Sequence, residues 1–194
     1  MVRMPISAII LAGGAGRRMG GQDKGLLEFA GQPLVRHVLA RIQPQVDEIL
    51  ISANRNLDDY RALGHRVVTD ASEGFQGPLA GVLAGLKAAR HAWVLTVPCD
   101  SPLLPLDLVR QLAAPLLTED AEIAVASAGG RHNPAIMMCA RQLADDLERY
   151  LAEGGRAVYA WQSRHRTAVV EFADTAAFAN MNQPEDLLPG RHPA

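Results

Sequence analysis

The chain has 194 residues, 48% hydrophobic and 21% charged, with 19 Lys and Arg against 21 Asp and Glu for a net charge of −2. This composition excludes long disorder, and the near-neutral balance excludes a nucleic-acid binder that relies on an overall basic field. One domain of this size buries roughly 70% of the surface its unfolded chain exposes and needs no staple. The two cysteines, Cys99 and Cys139, make no disulfide framework or zinc spacing and suit a reducing, cytoplasmic setting.

The first apolar run, residues 6–12 with the strand candidate at 6–11, is too short for a membrane span. Its basic residues, Arg17 and Arg18, lie downstream and no small-residue cleavage site follows, so it does not read as a signal peptide. Its near-continuous aliphatic character predicts a strand buried on both faces. Pro33 suits a first helical position, with Leu34, Val35, Val38, Leu39 and Ile42 on one helical stripe. Strands are predicted at residues 48–53 and 66–69, the latter leading into Asp70. Pro78 opens a helix carrying Leu79, Val82, Leu83 and Leu86, and residues 93–97 form a strand running into Pro98-Cys99-Asp100. A helix over 106–117 follows, then strands at 123–128 and 135–139 joined by the polar turn Gly129 to Asn133. An amphipathic helix at 142–153 and a strand at 168–172 complete the pattern.

Strands alternating with helices predict an α/β fold, a single Rossmann-like three-layer domain with a mostly parallel sheet. The domain is expected over residues 1–188, with 189–194 as a loose tail. One feature breaks the rhythm: the first strand ends near Leu11, yet the next helix starts near Pro33. Such connections usually run about 2–6 residues, and much longer ones are usually functional or disordered. Open α/β sheets bind ligands at the carboxyl ends of their strands, where this segment lies.

The segment reads LAGGAGRRMGGQDKG from Leu11 to Gly25. Glycines let backbone N–H groups approach a phosphate, and Arg17, Arg18 and Lys24 supply matching positive charge. That is nucleoside-triphosphate chemistry. A Walker A loop fails because Lys24 is followed by Gly25 and not by Ser or Thr. A dinucleotide fingerprint fails because Met19 stands where the third glycine belongs, and the second strand leads into Asn54, not an acid.

The remaining type fits: Leu-Ala-Gly-Gly followed by Arg-Met-Gly and then Lys, as in nucleotidyltransferases. Residues 11–28, with the run Arg17 to Leu27, resemble the signature loop of the MobA family of molybdenum cofactor guanylyltransferases. Further matches follow in order: Ser52-Ala53-Asn54-Arg55, Asp70, Gly77 to Gly81, Pro98 to Pro102, and Asn180 to Glu185. They span nearly the whole chain.

The resemblance implies transfer of GMP from GTP to the terminal phosphate of molybdopterin, with Mg²⁺ as cofactor and pyrophosphate released. It makes Leu11, Ala12, Gly13, Gly14 and Lys24 GTP contacts, with Ser52 or Asn54 and Asp70 as further ones. Asp100 becomes the Mg²⁺ ligand, and Asn180 and Asn182 become walls near the metal or the pterin. Arg18, Lys24 and Asp100 form the catalytic set, the two cations neutralising pyrophosphate. It also implies transient contact with the molybdenum-insertion enzyme and with molybdoenzyme chaperones, and no nucleic acid or membrane.

The residues alone allow plainer roles. Asp100 and Asp70 can cap or form turns, Asn182 can cap a short helix, and Cys99 can simply pack. The six histidines are scattered without metal-ligand spacing. A CTP-dependent molybdopterin cytidylyltransferase, another small-molecule nucleotidyltransferase, a dinucleotide oxidoreductase and a noncatalytic nucleotide-binding module remain as alternatives, the oxidoreductase disfavoured by Asn54.

Overall fold

A computed structural model of the chain describes residues 4–13, 22–70, 77–181 and 186. The elements in order are β1 (Ile6–Leu11), β2 (Glu28–Phe29), β3 (Gln32–Pro33), α1 (Leu34–Ile42), β4 (Glu48–Ser52), α2 (Leu57–Arg61) and β5 (Arg66–Val68). Then come α3 (Pro78–Ala88), β6 (Trp93–Pro98), α4 (Leu108–Thr118), β7 (Ile123–Ala128), β8 (Arg131–Ala140), α5 (Ala144–Ala152), α6 (Val158–Gln162) and β9 (Thr167–Phe172).

Seven strands form one sheet in the order β5-β4-β1-β6-β8-β7-β9, and β2 pairs only with β3. β5, β4, β1 and β6 run parallel, as do β7 and β9, while β8 is antiparallel to both of its neighbours. The mostly parallel sheet is therefore as expected, with one reversed strand inside it. Alternation along β1 sends Ala8 and Ile10 to one face and Ile9 to the other. The first face packs on α1 and α4 through Val35, Val38, Ile42, Leu108 and Leu112. The second packs on α3 and α5 through Leu79, Val82, Leu86, Leu147 and Leu151, with Trp161 of α6 fully buried beside them. Helices on both faces make the three layers, and they explain why these strands read as continuous aliphatic runs.

Several boundaries differ from the sequence reading. Pro33 stands one residue before α1, at its N-cap, with extended backbone (φ −54°, ψ 140°) inside β3. The expected five-residue turn shrinks to Gly129-Gly130, both with positive φ, and β8 begins at Arg131. Arg131, His132 and Asn133 are polar because they lie on the exposed end of that strand. The β7–β8 register then jumps from Ala126 opposite Asn133 to Val125 opposite Met137. Pro134 has no N–H to give the ladder, which favours such a bulge. The helix expected from 106 starts at Leu108 behind Asp107, and the one expected from 142 opens as a short 3₁₀ turn, Arg141–Leu143, before α5.

α2, α6 and the β2–β3 hairpin are not visible in the sequence periodicity. The hairpin turns on Ala30 and Gly31, both with positive φ, and Ala-Gly lacks the Asn-Gly signal of such turns. The tail over 189–194 lies outside the described residues. No helix among the described residues is long and apolar enough to cross a membrane.

Candidate active site

The carboxyl ends of β5, β4, β1 and β6 lie side by side. The chain moves outward from β1 through β4 to β5, then crosses back to place β6 on the other side of β1. That reversal between β1 and β6 is the crevice where open α/β sheets hold ligands. Backbone bonds extend the strand ends into it: Ala12 N–H donates to Ser52 O at 2.8 Å, and Cys99 N–H donates to Leu11 O at 3.1 Å.

Two charged residues meet there. Lys24 stands at the start of a 3₁₀ turn, Lys24–Leu26, in the long connection after β1. Its Nζ donates to Asp100 Oδ2 at 3.1 Å, and both side chains are largely shielded from solvent. Asp100 follows β6 directly, and its carbonyl accepts Met181 N–H at 2.9 Å. Beside it, the buried Ser101 hydroxyl donates to Asn180 Oδ1 at 2.6 Å. The carboxyl-terminal segment is thereby fastened next to Asp100, so Asn180 sits beside the candidate metal ligand.

On the other flank, Asp70 N–H donates to Asn54 Oδ1 at 3.1 Å. Burial raises the Asp70 carboxyl above its usual value, with its hydrogen bond to Asn54 working against that rise. The structure separates the two polar candidates on β4 and its exit. Ser52 is fully enclosed beneath α3, so close that a Cβ on Gly81 would fall 2.6 Å from its Oγ. Asn54 lies at the exposed rim, near Gly13. Gly14, Arg18 and Asn182 lie outside the described residues.

The structure thus brings together Leu11, Ala12, Gly13, Lys24, Asn54, Asp70, Asp100 and Asn180, and it packs Ser52 beneath them. Sequence reasoning missed Ser101 and the group around Asp23, whose carboxylate accepts from Gly25, Asn56 and Tyr60. Asp23 carries a recognisable signal, an N-capping Asp directly before a short turn, but its distant partners do not. Cys99 is buried behind the site, and burial, with Asp100 next, drives its thiol well above the ordinary range, so it packs as an apolar residue.

No group of three or more His, Cys, Asp or Glu among the described residues could hold a metal. A lone carboxylate still suits Mg²⁺, which is usually held by one or two carboxylates plus substrate phosphates and waters. A separate cavity of about 380 Å³ lies at the opposite end of the sheet, lined by residues including Trp93, Leu116, Glu122, Arg141 and Arg166. Arg166 there already pairs with Asp120 and Glu122, and none of the candidate residues lines the cavity.

Comparison with known proteins agrees with the sequence reading. Residues 8–168 match the model of the MobA-like NTP transferase domain. The chain is 48% identical over 183 residues to a molybdenum cofactor guanylyltransferase of Shewanella amazonensis, covering 94% of this chain and 93% of the relative. It is 45% identical over 183 residues to the enzyme so named in Shewanella sediminis, with the same coverage. Among solved structures, molybdopterin-guanine dinucleotide biosynthesis protein A from Archaeoglobus fulgidus shares the fold, with a TM-score of 0.75, 21% identity and coverage of 93% of this chain and 94% of that one. 4-Diphosphocytidyl-2C-methyl-D-erythritol synthase from Anaerococcus prevotii does too, with a TM-score of 0.72, 17% identity and 95% coverage of each chain. A strand-end crevice closed by a lysine–aspartate pair, on a chain alike over nearly its whole length, places this protein in the MobA-like nucleotidyltransferase family, among the molybdenum cofactor guanylyltransferases.

Proposed function

We propose that this chain transfers the GMP moiety of GTP to the terminal phosphate of molybdopterin, with Mg²⁺, and releases pyrophosphate. The observation that carries the reading is the Lys24–Asp100 pair at the β1–β6 crevice in a chain 45–48% identical to guanylyltransferases.

A phosphate oxygen of the acceptor forms a bond to the α-phosphorus of GTP, and the bond from that phosphorus to the pyrophosphate oxygen breaks. The barrier is largely electrostatic, because an anion approaches an anionic centre. Lys24 offers a compact positive charge with three donors for the triphosphate. Arg18, in the same glycine-rich segment, is assigned the leaving pyrophosphate. Leu11 to Gly14 supply backbone close to the phosphates. Asn54 and Asp70, joined by a hydrogen bond at the rim, are assigned to the nucleoside, with Ser52 packing beneath them. Asn180 and Asn182 are assigned to the acceptor side, with Ser101 holding Asn180 beside Asp100.

Asp100 would hold Mg²⁺ together with substrate phosphates. The bound ion would supply charge neutralisation to the reacting phosphates. A phosphate monoester is already ionised near neutral pH, its second pKa being about 6, so the acceptor needs no general base. The reading therefore assigns the site's side chains to donating hydrogen bonds and balancing charge, and none to accepting a proton. Molybdopterin is labile, which favours direct hand-over from the molybdenum-insertion enzyme and onward to molybdoenzyme chaperones, in the cytoplasm.

Pyrophosphate release tests the reading. It is expected to require GTP, molybdopterin and Mg²⁺ together, to stop on chelation and to return on adding Mg²⁺. Release that continues in chelator removes the metal assignment.

A further inference from the structure

We infer that Asp23 is a positioning residue that aims Lys24 into the cleft by fastening the chain on both sides of it. The inference rests on the guanylyltransferase reading and names a residue that reading does not use.

The Asp23 side chain is only 4% exposed. Its Oδ1 accepts Gly25 N–H at 3.3 Å and the Tyr60 hydroxyl at 2.5 Å. Its Oδ2 accepts the Asn56 amide at 3.0 Å and faces Arg55 Nε at 3.6 Å. These groups belong to two separate parts of the chain: the turn carrying Lys24, and the β4–α2 connection with α2. Three donors and one guanidinium converge on one buried carboxylate. An ionised carboxylate accepts on both oxygens, whereas an amide would turn donors of its own on some of those groups.

The neighbours of Lys24 are held from other directions as well. Arg55 donates to Gln22 O at 2.9 Å, just before Asp23. Gly25 is pressed against α2 and the end of β6, so that a Cβ there would fall 2.5 Å from Tyr60 Oη and 3.3 Å from Cys99 Sγ. Tyr60 is fully buried, and burial drives its phenol well above the ordinary range, with Cys99 and Asp23 adding to the rise. It therefore stays a donor at any working pH.

Residues 22, 23 and 25 are thus anchored while Lys24 sends its ammonium to Asp100, 3.1 Å away. A lysine has a long, flexible stem, and fixing its root narrows the volume its charge can search. The same clamp joins Lys24 to the connection carrying Asn54, so the triphosphate and nucleoside sides of the cleft share one buried anchor.

The test is a double-mutant cycle on the full chain. Asp23→Asn and Tyr60→Phe are each made alone and with Lys24→Ala. kcat and the KM for GTP are read with GTP, molybdopterin and Mg²⁺, and GTP affinity by calorimetry serves variants that turn over too slowly. Asp23→Asn is expected to lower kcat about tenfold to a hundredfold, the range of a lost hydrogen bond to a charged group. In the Lys24→Ala background it is expected to change kcat or affinity by less than about twofold. Equal losses in both backgrounds, or no loss in either, overturn the inference. Tyr60→Phe keeps the ring packing and repeats the test if Asp23→Asn does not fold. A folded wild type that transfers no GMP overturns the functional reading itself, so the two failures are distinct.

Discussion

Lys24 and Asp100 stand 76 residues apart in sequence, yet Nζ and Oδ2 meet at 3.1 Å across the crevice between β1 and β6. The pair joins the long connection after β1 to the end of β6. Each side chain is mostly shielded, so each charge depends on its surroundings more than a surface charge would.

Substituting either residue should therefore separate activity from folding. Asp100→Asn keeps shape and hydrogen bonding but removes the negative charge a cation needs. Lys24→Ala removes the cation proposed to face the phosphates. Each is expected to lower kcat/KM by about a hundredfold or more, as loss of one electrostatic contact to the reacting groups commonly does. Both should still melt cooperatively, below wild type by roughly 2–4 °C for each kcal/mol lost with the pair. Steady-state kinetics and thermal melts check this, and full activity in Asp100→Asn would remove the metal assignment.

Gly85 on α3 predicts a stability effect with no role in chemistry. A Cβ there would overlap the side chain of Ile9, which is fully buried in the central strand β1. Gly85→Ala gains helix propensity but overpacks the core, at a cost of about 1–3 kcal/mol. The melting temperature should fall by roughly 2–4 °C for each kcal/mol. An unchanged or raised melting temperature would show that β1 and α3 can separate freely.

Asp146 predicts a pH effect. It accepts from Trp161 Nε1 at 3.1 Å, lies 3.0 Å from His165 Nε2 and is flanked by Arg164 at 3.8 Å. Burial alone would raise its carboxyl, but Trp161, His165 and Arg164 together hold it below the ordinary value. A carboxylate depressed in the folded state binds its proton more readily when unfolded. Its contribution is therefore present above the unfolded pKa of about 3.9 and is lost as pH falls through the lower folded value. Asp146→Asn should melt below wild type near pH 6, by about 2–4 °C for roughly 1 kcal/mol, and the gap should narrow progressively as pH falls below about 3.9. A gap that does not narrow at all below that pH would show that shape, not charge, is at work.

The sequence was most legible where periodicity is long. β1, α1, α3, β6 and β7 follow aliphatic runs or stripes that burial on one or both faces requires. The strand-end position of Asp100 followed from the run before it and the Pro and Ser around it. Only the second half of β8 is legible, because its first residues, Arg131 to Asn133, are polar at the exposed end of a strand and Pro134 breaks the ladder. α2 and α6 span only five residues each, too short for a periodic signal. At the candidate site, glycines and charges mark the segment proposed to meet phosphate, but Asp23 to Tyr60 and Ser101 to Asn180 are contacts at separations of 37 and 79 residues. No local pattern carries such contacts. The packing of Ser52 against Gly81 of α3, with Asn54 left at the exposed rim, is likewise something the order of residues does not display.

The central claim is the transfer itself. The most direct measurement is the fate of label from the α-phosphate of GTP, incubated with purified protein, molybdopterin and Mg²⁺, with CTP run in parallel. Label is expected to move from GTP into a guanine dinucleotide of the pterin, with one pyrophosphate per product and little transfer from CTP. Label that stays in GTP, or moves equally well from CTP, contradicts the account.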